Sequence, residues 1–213
     1  MKQGQFISIE GIEGAGKTTA LALMGELLLQ AKYPFIVTRE PGGTPLAESM
    51  RTLLLQHEGE EKVTAQTELL LLFAGRHQHL QHRILPALAR GEWVLCDRFI
   101  DATYAYQGGG RALSHDEIFH LDRWIVGSHY PNLTLLLDVT PELGLKRAAG
   151  RKQGRDRFEQ EEYEFFNRVR DTYLQRAEAQ PERIKIIDAT GTQAQVFVQI
   201  KSIMTTFLQE MED

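Results

Sequence analysis

Gly11-Ile12-Glu13-Gly14-Ala15-Gly16-Lys17-Thr18 satisfies the pattern G-x-x-x-x-G-K-[ST] at every fixed position. Its flanks supply the context that this pattern needs. Phe6-Ile7-Ser8-Ile9-Glu10 has the length and apolarity of a short buried strand. Thr19 to Lys32, with Leu21, Leu23, Met24, Leu27 and Leu28, has the spacing of a helix. The glycines let the backbone curl until successive N–H groups point inward, and the helix start adds unpaired donors and partial positive charge. Such a loop suits a dense anion. Lys17 would reach the β and γ phosphates of a nucleoside triphosphate, and Thr18 would ligate Mg²⁺.

Outward from this loop, strand and helix alternate to the end of the chain. Phe35 to Arg39 reads as a second strand, closed by Glu40-Pro41-Gly42-Gly43-Thr44-Pro45, where two prolines and two glycines demand a shaped turn. Leu46 to Gln56 reads as a helix with Arg51 on its polar side. A long helical pattern covers Val63 to Arg90, starting at Thr64, with Pro86 placed to bend or break it. Trp93 to Asp97 is a third strand, and Thr103 to Arg111 reads as a flexible polar loop. Ser114 and Glu117 resemble a capping box for a helix to about Val126. Leu133 to Val139 is a fourth strand, after which Pro141 opens a helix. A helix from about Glu159 to Ala179, a fifth strand over Ile184 to Asp188 and a helix from about Gln193 to Leu208 complete the chain. The alternation predicts an α/β fold with a parallel sheet covered on both faces.

The 213 residues suit one domain spanning 1–213, with no linker, repeat or low-complexity tract. A net charge of −5 argues against extended nucleic-acid binding, so any nucleotide must be gripped locally. Cys96 is the single cysteine, flanked by Val94 and Leu95 as in a buried strand, and no internal disulfide is available. The absence of an apolar leader, and of any apolar run near membrane-spanning length, predicts a cytoplasmic protein that meets no membrane.

A phosphate-binding loop leaves hydrolysis, transfer and switching open. Asp97 and Asp138 both end apolar strands, where a carboxylate can hold Mg²⁺ opposite Thr18. Asp97 is favoured because Arg98 follows it, so one strand end could serve metal and phosphate; a capping role before Pro141 is the other reading of Asp138. Arg147, Arg151, Lys152, Arg155 and Arg157 crowd a segment hinged by Gly150 and Gly154, which reads as a mobile basic flap or as an ordinary solvated face. In phosphoryl transfer such cations meet charge that develops on the equatorial oxygens. Within the loop stands Glu13, a carboxylate that must face away from the triphosphate, most simply toward a hydroxyl of a second substrate. Arg39, Arg51, Arg76 and Arg98, all near element ends, could surround an acceptor phosphate.

With these residues assembled, the chain resembles the bacterial thymidylate kinases of the nucleoside monophosphate kinase family. The signposts are Gly11 to Thr18 with Glu13 inside, Arg39 to Thr44, Asp97-Arg98-Phe99, Ala105 to Arg111, and Leu137 to Glu142. The resemblance implies a P-loop NTPase-type three-layer fold, with a five-stranded parallel sheet and a basic lid over about residues 147–158. It implies transfer of the γ-phosphoryl of ATP to dTMP with Mg²⁺, usually by a homodimer. ATP would sit on Gly11, Ile12, Glu13, Gly14, Ala15, Gly16, Lys17 and Thr18, with Thr18 and Asp97 on the metal. Arg51 and Arg98 would bind the dTMP phosphate and Glu13 would lie near the 3′-hydroxyl. Arg76 would donate to thymine O4, with Thr103 and Gln107 near the base edge and Tyr106 under the deoxyribose. An arginine donor suits O4 and meets the exocyclic amine of cytosine donor to donor. Lys17, Arg98 and a lid arginine, Arg151 or Arg155, would carry the catalysis.

Two departures from that family pattern stand out. Leu72 occupies the place of a phenylalanine that stacks on thymine in many members, and Phe73 next to it is either its replacement or core. The flap is also one residue longer, which keeps Arg151 and Arg155 as alternatives. A GTP-dependent switch is the rival from another class, since Asp188-Ala189-Thr190-Gly191 spells D-x-x-G. No Asn-Lys-x-Asp motif accompanies it, and the resemblance puts adenine at that turn.

Overall fold

The structure is a computed structural model, and it describes residues 4–56, 61–149 and 161–211. Strand β1 (Phe6–Glu10) lies at the centre of a five-stranded sheet with β2 (Phe35–Arg39), β3 (Trp93–Asp97), β4 (Leu133–Asp138) and β5 (Ile184–Asp188). Their order is β2-β3-β1-β4-β5, and every pairing is parallel. Helices α1 (Lys17–Gln30), α2 (Pro45–Gln56), α3 (Ala65–His79), α4 (Leu85–Ala89), α5 (Ile100–Thr103), α6 (His115–Ile125), α7 (Pro141–Ala149), α8 (Tyr163–Ala179) and α9 (Gln193–Glu210) fill the connections. Alternation along the strands divides the core in two. Ile7, Ile9, Trp93 and Leu95 face α1, α8 and α9, whereas Phe6, Val94 and Cys96 face the layer of α3, α4 and α6. Both faces are covered, which is why the central strands read as apolar throughout.

The chain leaves β1 toward β2 and β3 on one side, then crosses to β4 and β5 on the other. Ligands of open α/β sheets bind at the carboxyl ends of strands at such a reversal. The register pairs Ile9 with Asp97, so the loop after β1 and the carboxylate ending β3 emerge side by side. Ladder bonding continues past the strands, with Arg98 N donating to Ile9 O and Glu40 N donating to Asp97 O, each at 2.9 Å.

Several expectations need correction. Residues 103–111 are not a flexible loop: α5 runs into a π-helical stretch at Tyr104–Gly110, buried nearly throughout. The last two glycines there serve close approach to α8, because a Cβ on Gly109 would strike Thr172 and one on Gly110 would strike the Phe165 ring. Pro86 does not break the long helical segment. A π-helical stretch at Leu80–Ile84 opens the turns ahead of it and absorbs the missing donor. Ser114 caps α6 by accepting from Asp116 N, while the reciprocal box forms at Thr192 and Gln195 before α9. Asp138 is no cap, since Arg170 holds both its oxygens at 2.7 and 2.8 Å. Of the basic cluster only Arg147 is described; Arg151, Lys152, Arg155 and Arg157 lie outside the described residues. Among the described residues no helix is long and apolar enough to cross a membrane.

Candidate active site

A cavity of about 440 Å³ opens at the strand ends, lined at one end by Glu13, Gly14, Gly16, Lys17, Thr18 and Thr19 and at the other by Arg51, Leu72, Arg76, Thr103, Tyr106 and Gln107. Asp97 and Arg98 lie between the two sets. Six cations, Lys17, Arg39, Arg51, Arg76, Arg98 and Arg147, face three acids, Glu13, Glu40 and Asp97, so the lining favours anions.

The phosphate loop takes its shape from positive φ at Gly11, Gly14 and Gly16; a side chain on Gly14 would also run into the Gly144 carbonyl of α7. The first turn of α1 begins at Lys17, and its backbone donors have no intrahelical partner. Lys17 Nζ folds back onto the carbonyls of Gly11 at 3.0 Å and Ile12 at 3.1 Å. Burial lowers its pKa to about 8, with the Arg98 charge adding to the effect and Asp97, Glu13 and Glu10 opposing it.

Arg98 is held in left-handed backbone geometry at φ 67°, a costly conformation for an arginine. Its guanidinium donates to Gly11 O at 2.9 Å and to Glu13 Oε1 at 2.8 Å, and lies 4.9 Å over the Tyr106 ring. Tyr106 donates its hydroxyl to the same Glu13 carboxylate. Glu13 therefore turns away from the loop interior and toward the second half of the cavity. Beneath lies Glu10, accepting from Phe99 N and from the Tyr173 hydroxyl, each at 2.7 Å. Burial pushes the Glu10 carboxyl up to about 8, helped by Asp101 and opposed by Arg98.

Arg76 is buried, with Nε on Glu40 Oε2 at 2.7 Å and Nη2 on Thr103 Oγ1 at 2.9 Å. Its remaining nitrogen, Nη1, is buried without a hydrogen-bond partner among the described residues. An orphaned donor on a cavity-lining side chain is an invitation to an acceptor. Arg51 donates to Pro41 O at 2.8 Å and also lines the cavity. Leu72 is in the wall, but Phe73 is not; its ring packs in the core 5.0 Å from the Arg76 guanidinium.

Asp97 lines the cavity with Oδ1 buried and unbonded among the described residues, whereas Asp138 is committed to Arg170 outside it. A lone strand-end carboxylate beside Thr18 fits Mg²⁺, which takes one or two protein oxygens and leaves its other positions to phosphate and water. Among the described residues no cluster of three or more His, Cys, Asp or Glu forms a cage of its own. Arg147, at the end of α7, donates to Ala189 O at 2.7 Å and Thr190 O at 3.1 Å, fixing the turn after β5.

Sequence reasoning missed Glu40, which braces Arg76, and His79, whose Nδ1 lies 3.1 Å from Glu40 Oε1 and whose Nε2 lies 2.7 Å from Thr38 Oγ1. It missed Tyr173 and Glu68 as well. The one signal available was a carboxylate just past β2, entering a Pro-Gly-Gly turn.

A family model described as thymidylate kinase matches residues 9–200. The thymidylate kinase of Pseudomonas syringae pv. syringae is 53% identical over 207 residues, covering 97% of each chain. That of Ruthia magnifica is 48% identical over 204 residues, covering 96% of this chain and 98% of the relative. The crystal structure of thymidylate kinase from Ehrlichia chaffeensis superposes with a TM-score of 0.75 at 33% identity, over 95% of this chain and 99% of the other.

Proposed function

The chain belongs to the thymidylate kinase family, and from that premise we propose how the cavity at its strand ends carries the transfer of the γ-phosphoryl of ATP to dTMP, giving dTDP and ADP. The observation that carries the assignment of roles is the Glu13–Arg98–Tyr106 junction, which stands where the phosphate loop meets the arginine-lined half. ATP phosphates lie on the loop and the first turn of α1, with Lys17 leaving the Gly11 and Ile12 carbonyls for the β and γ phosphates. The adenine rests against the turn that Arg147 holds. The dTMP phosphate binds Arg98 and Arg51, the sugar lies on Tyr106 with its 3′-hydroxyl toward Glu13, and the base sits between Leu72 and the Thr103–Gln107 wall.

A phosphate monoester is largely dianionic at neutral pH, with a second pKa of about 6, so the attacking oxygen needs no base to deprotonate it. Cations must instead hold two anions together and meet the charge on the moving phosphoryl group. Lys17 and Arg98 are suited to that work, together with Arg151 or Arg155 from the lid over about residues 147–158. Thr18 and Asp97 would hold Mg²⁺, which would supply positive charge against the donor phosphates. The whole of residues 1–213 acts as one domain in this reading, in the cytoplasm.

A homodimer is the second part of the proposal. Helix α3 packs between α2 and α6, and this one layer leaves Leu53 at 54%, Leu70 at 58% and Trp124 at 79% exposure. Exposed apolar side chains on three neighbouring helices are what a self-associating surface offers.

The acceptor assignment is tested by supplying ATP-Mg²⁺ with dTMP, dUMP, dCMP, dAMP and dGMP in turn. Product from dTMP at far higher kcat/KM than from the others is expected; a stronger reaction with another monophosphate would overturn it.

A further inference from the structure

Helix α3 turns Glu68, Leu72 and Arg76 to one side at four-residue spacing, toward Thr103 and Gln107. Two hydrogen bonds join the walls. Arg76 Nη2 donates to Thr103 Oγ1 at 2.9 Å, and Gln107 Nε2 donates to Glu68 Oε1 at 2.7 Å. Leu72, Arg76, Thr103 and Gln107 line the cavity; Glu68 lies behind them with none of its surface exposed.

We propose that Glu68 is a specificity-positioning residue, fixing the Gln107 amide so that its carbonyl oxygen faces the pyrimidine edge. A carboxylate oxygen accepts, and Arg111 Nε approaches the same Oε1 at 3.4 Å, so that oxygen faces donors on two sides. Turning the amide over would set carbonyl oxygen against carboxylate oxygen. The amide is thereby locked with Nε2 away from the cavity and Oε1 toward it. Arg76, beside it, has only donors to offer. The wall then reads donor and acceptor in order, which complements O4 and N3–H of thymine. Cytosine presents an amine and a bare ring nitrogen there, a mismatch at both places. Glu68 touches neither base and acts through Gln107 alone. This rests on the proposed placement of dTMP with its base between Leu72 and the Thr103–Gln107 wall.

The test is Glu68→Gln, whose amide can donate as well as accept and so releases Gln107 to turn. The kcat/KM ratio of dTMP over dCMP should fall about tenfold, the worth of one matched hydrogen bond, mainly through the KM for dTMP. The KM for ATP and the ratio of dUMP to dTMP should not move. In a Gln107→Ala background the same substitution should change the dTMP-to-dCMP ratio by less than about twofold, since the intermediary is gone. Glu68→Asp, which keeps an acceptor-only group, should retain the ratio even where stability drops. An unchanged ratio in Glu68→Gln would overturn the proposal, as would an equal effect without Gln107, or parallel losses with ATP and both acceptors. Wild-type turnover of dTMP in the same assay separates this failure from failure of the acceptor assignment.

Discussion

Glu13 and Arg98 form a 2.8 Å ion pair with side chains only 11% and 16% exposed, and the Tyr106 hydroxyl closes onto the same carboxylate. The acid that interrupts a phosphate-binding loop is thus neutralised from the acceptor side. It aims Arg98 and Tyr106 together, so the donor and acceptor halves share one residue. Replacing Glu13 with Gln should lower kcat/KM for dTMP by about 10- to 100-fold, the range for a charge-assisted hydrogen bond. The KM for ATP should change much less. Steady-state kinetics with each substrate varied would show it, and equal losses for both would count against the shared role.

Arg76→Met removes the donor proposed for thymine O4 and strands Glu40 in a buried site. Breaking a buried pair costs about 3–5 kcal/mol, so thermal melting should show a clear loss. The sharper outcome is kinetic: the dTMP KM rises and discrimination against dCMP falls, while the KM for ATP holds. Unchanged discrimination in folded protein would refute the role.

Lys17 titrates at about 8 in the free protein, below its usual 10.5. A triphosphate needs it charged, so binding raises its pKa and takes up a proton above pH 8. ATP affinity should therefore weaken above pH 8, by at most tenfold per unit for one linked proton. Calorimetry at pH 8.5 to 9 in buffers of different ionisation heat should register the uptake, and Lys17→Met should abolish it.

Glu10 has the opposite signature, an acid raised from 4.5 to about 8. Between those values the folded chain holds a proton that the unfolded chain releases, so its contribution to stability falls as pH rises from 4.5 to 8 and stays low beyond. Glu10→Gln keeps an acceptor for Phe99 N and a partner for the Tyr173 hydroxyl without the charge. Its melting temperature should exceed that of the wild type at pH 9 and match it near pH 5.

Trp124→Glu places a charge on the most exposed apolar side chain of the proposed self-associating face. If that face joins two copies, light scattering should shift from dimer to monomer with the melting profile of the isolated chain retained. A wild-type monomer at micromolar concentration would dispose of the dimer.

The sheet was legible because buried parallel strands are short apolar runs, and the five predicted strands match to within a residue at their ends. The phosphate loop was legible because its glycine spacing is dictated by backbone geometry. What escaped was set by contacts distant in sequence. Gly108 to Gly110 read as flexible because glycine permits both loose chain and close approach, and only the side chains packed on them, His115 and Ile118 of α6 and Thr172 and Phe165 of α8, distinguish the two. Phe73 read as either a base platform or core because it neighbours Leu72, and the rotation of about 100° per helical step sends it into the core. Glu68 and His79 carry no motif, and Glu40 stood inside one with no role attached to it: each matters for what it holds in place.

Gly109 and Gly110 press their backbone onto α8 with no clearance, Arg168 clamps their carbonyls, and Gly108 lies against His115 and Ile118 of α6. The partition that carries Tyr106 and Gln107 is thus cast against its support and cannot be thickened from behind. Retuning this enzyme to a different pyrimidine would have to begin with side chains on the lumen side and the carboxylates that steer them, because the masonry beneath has no slack to give.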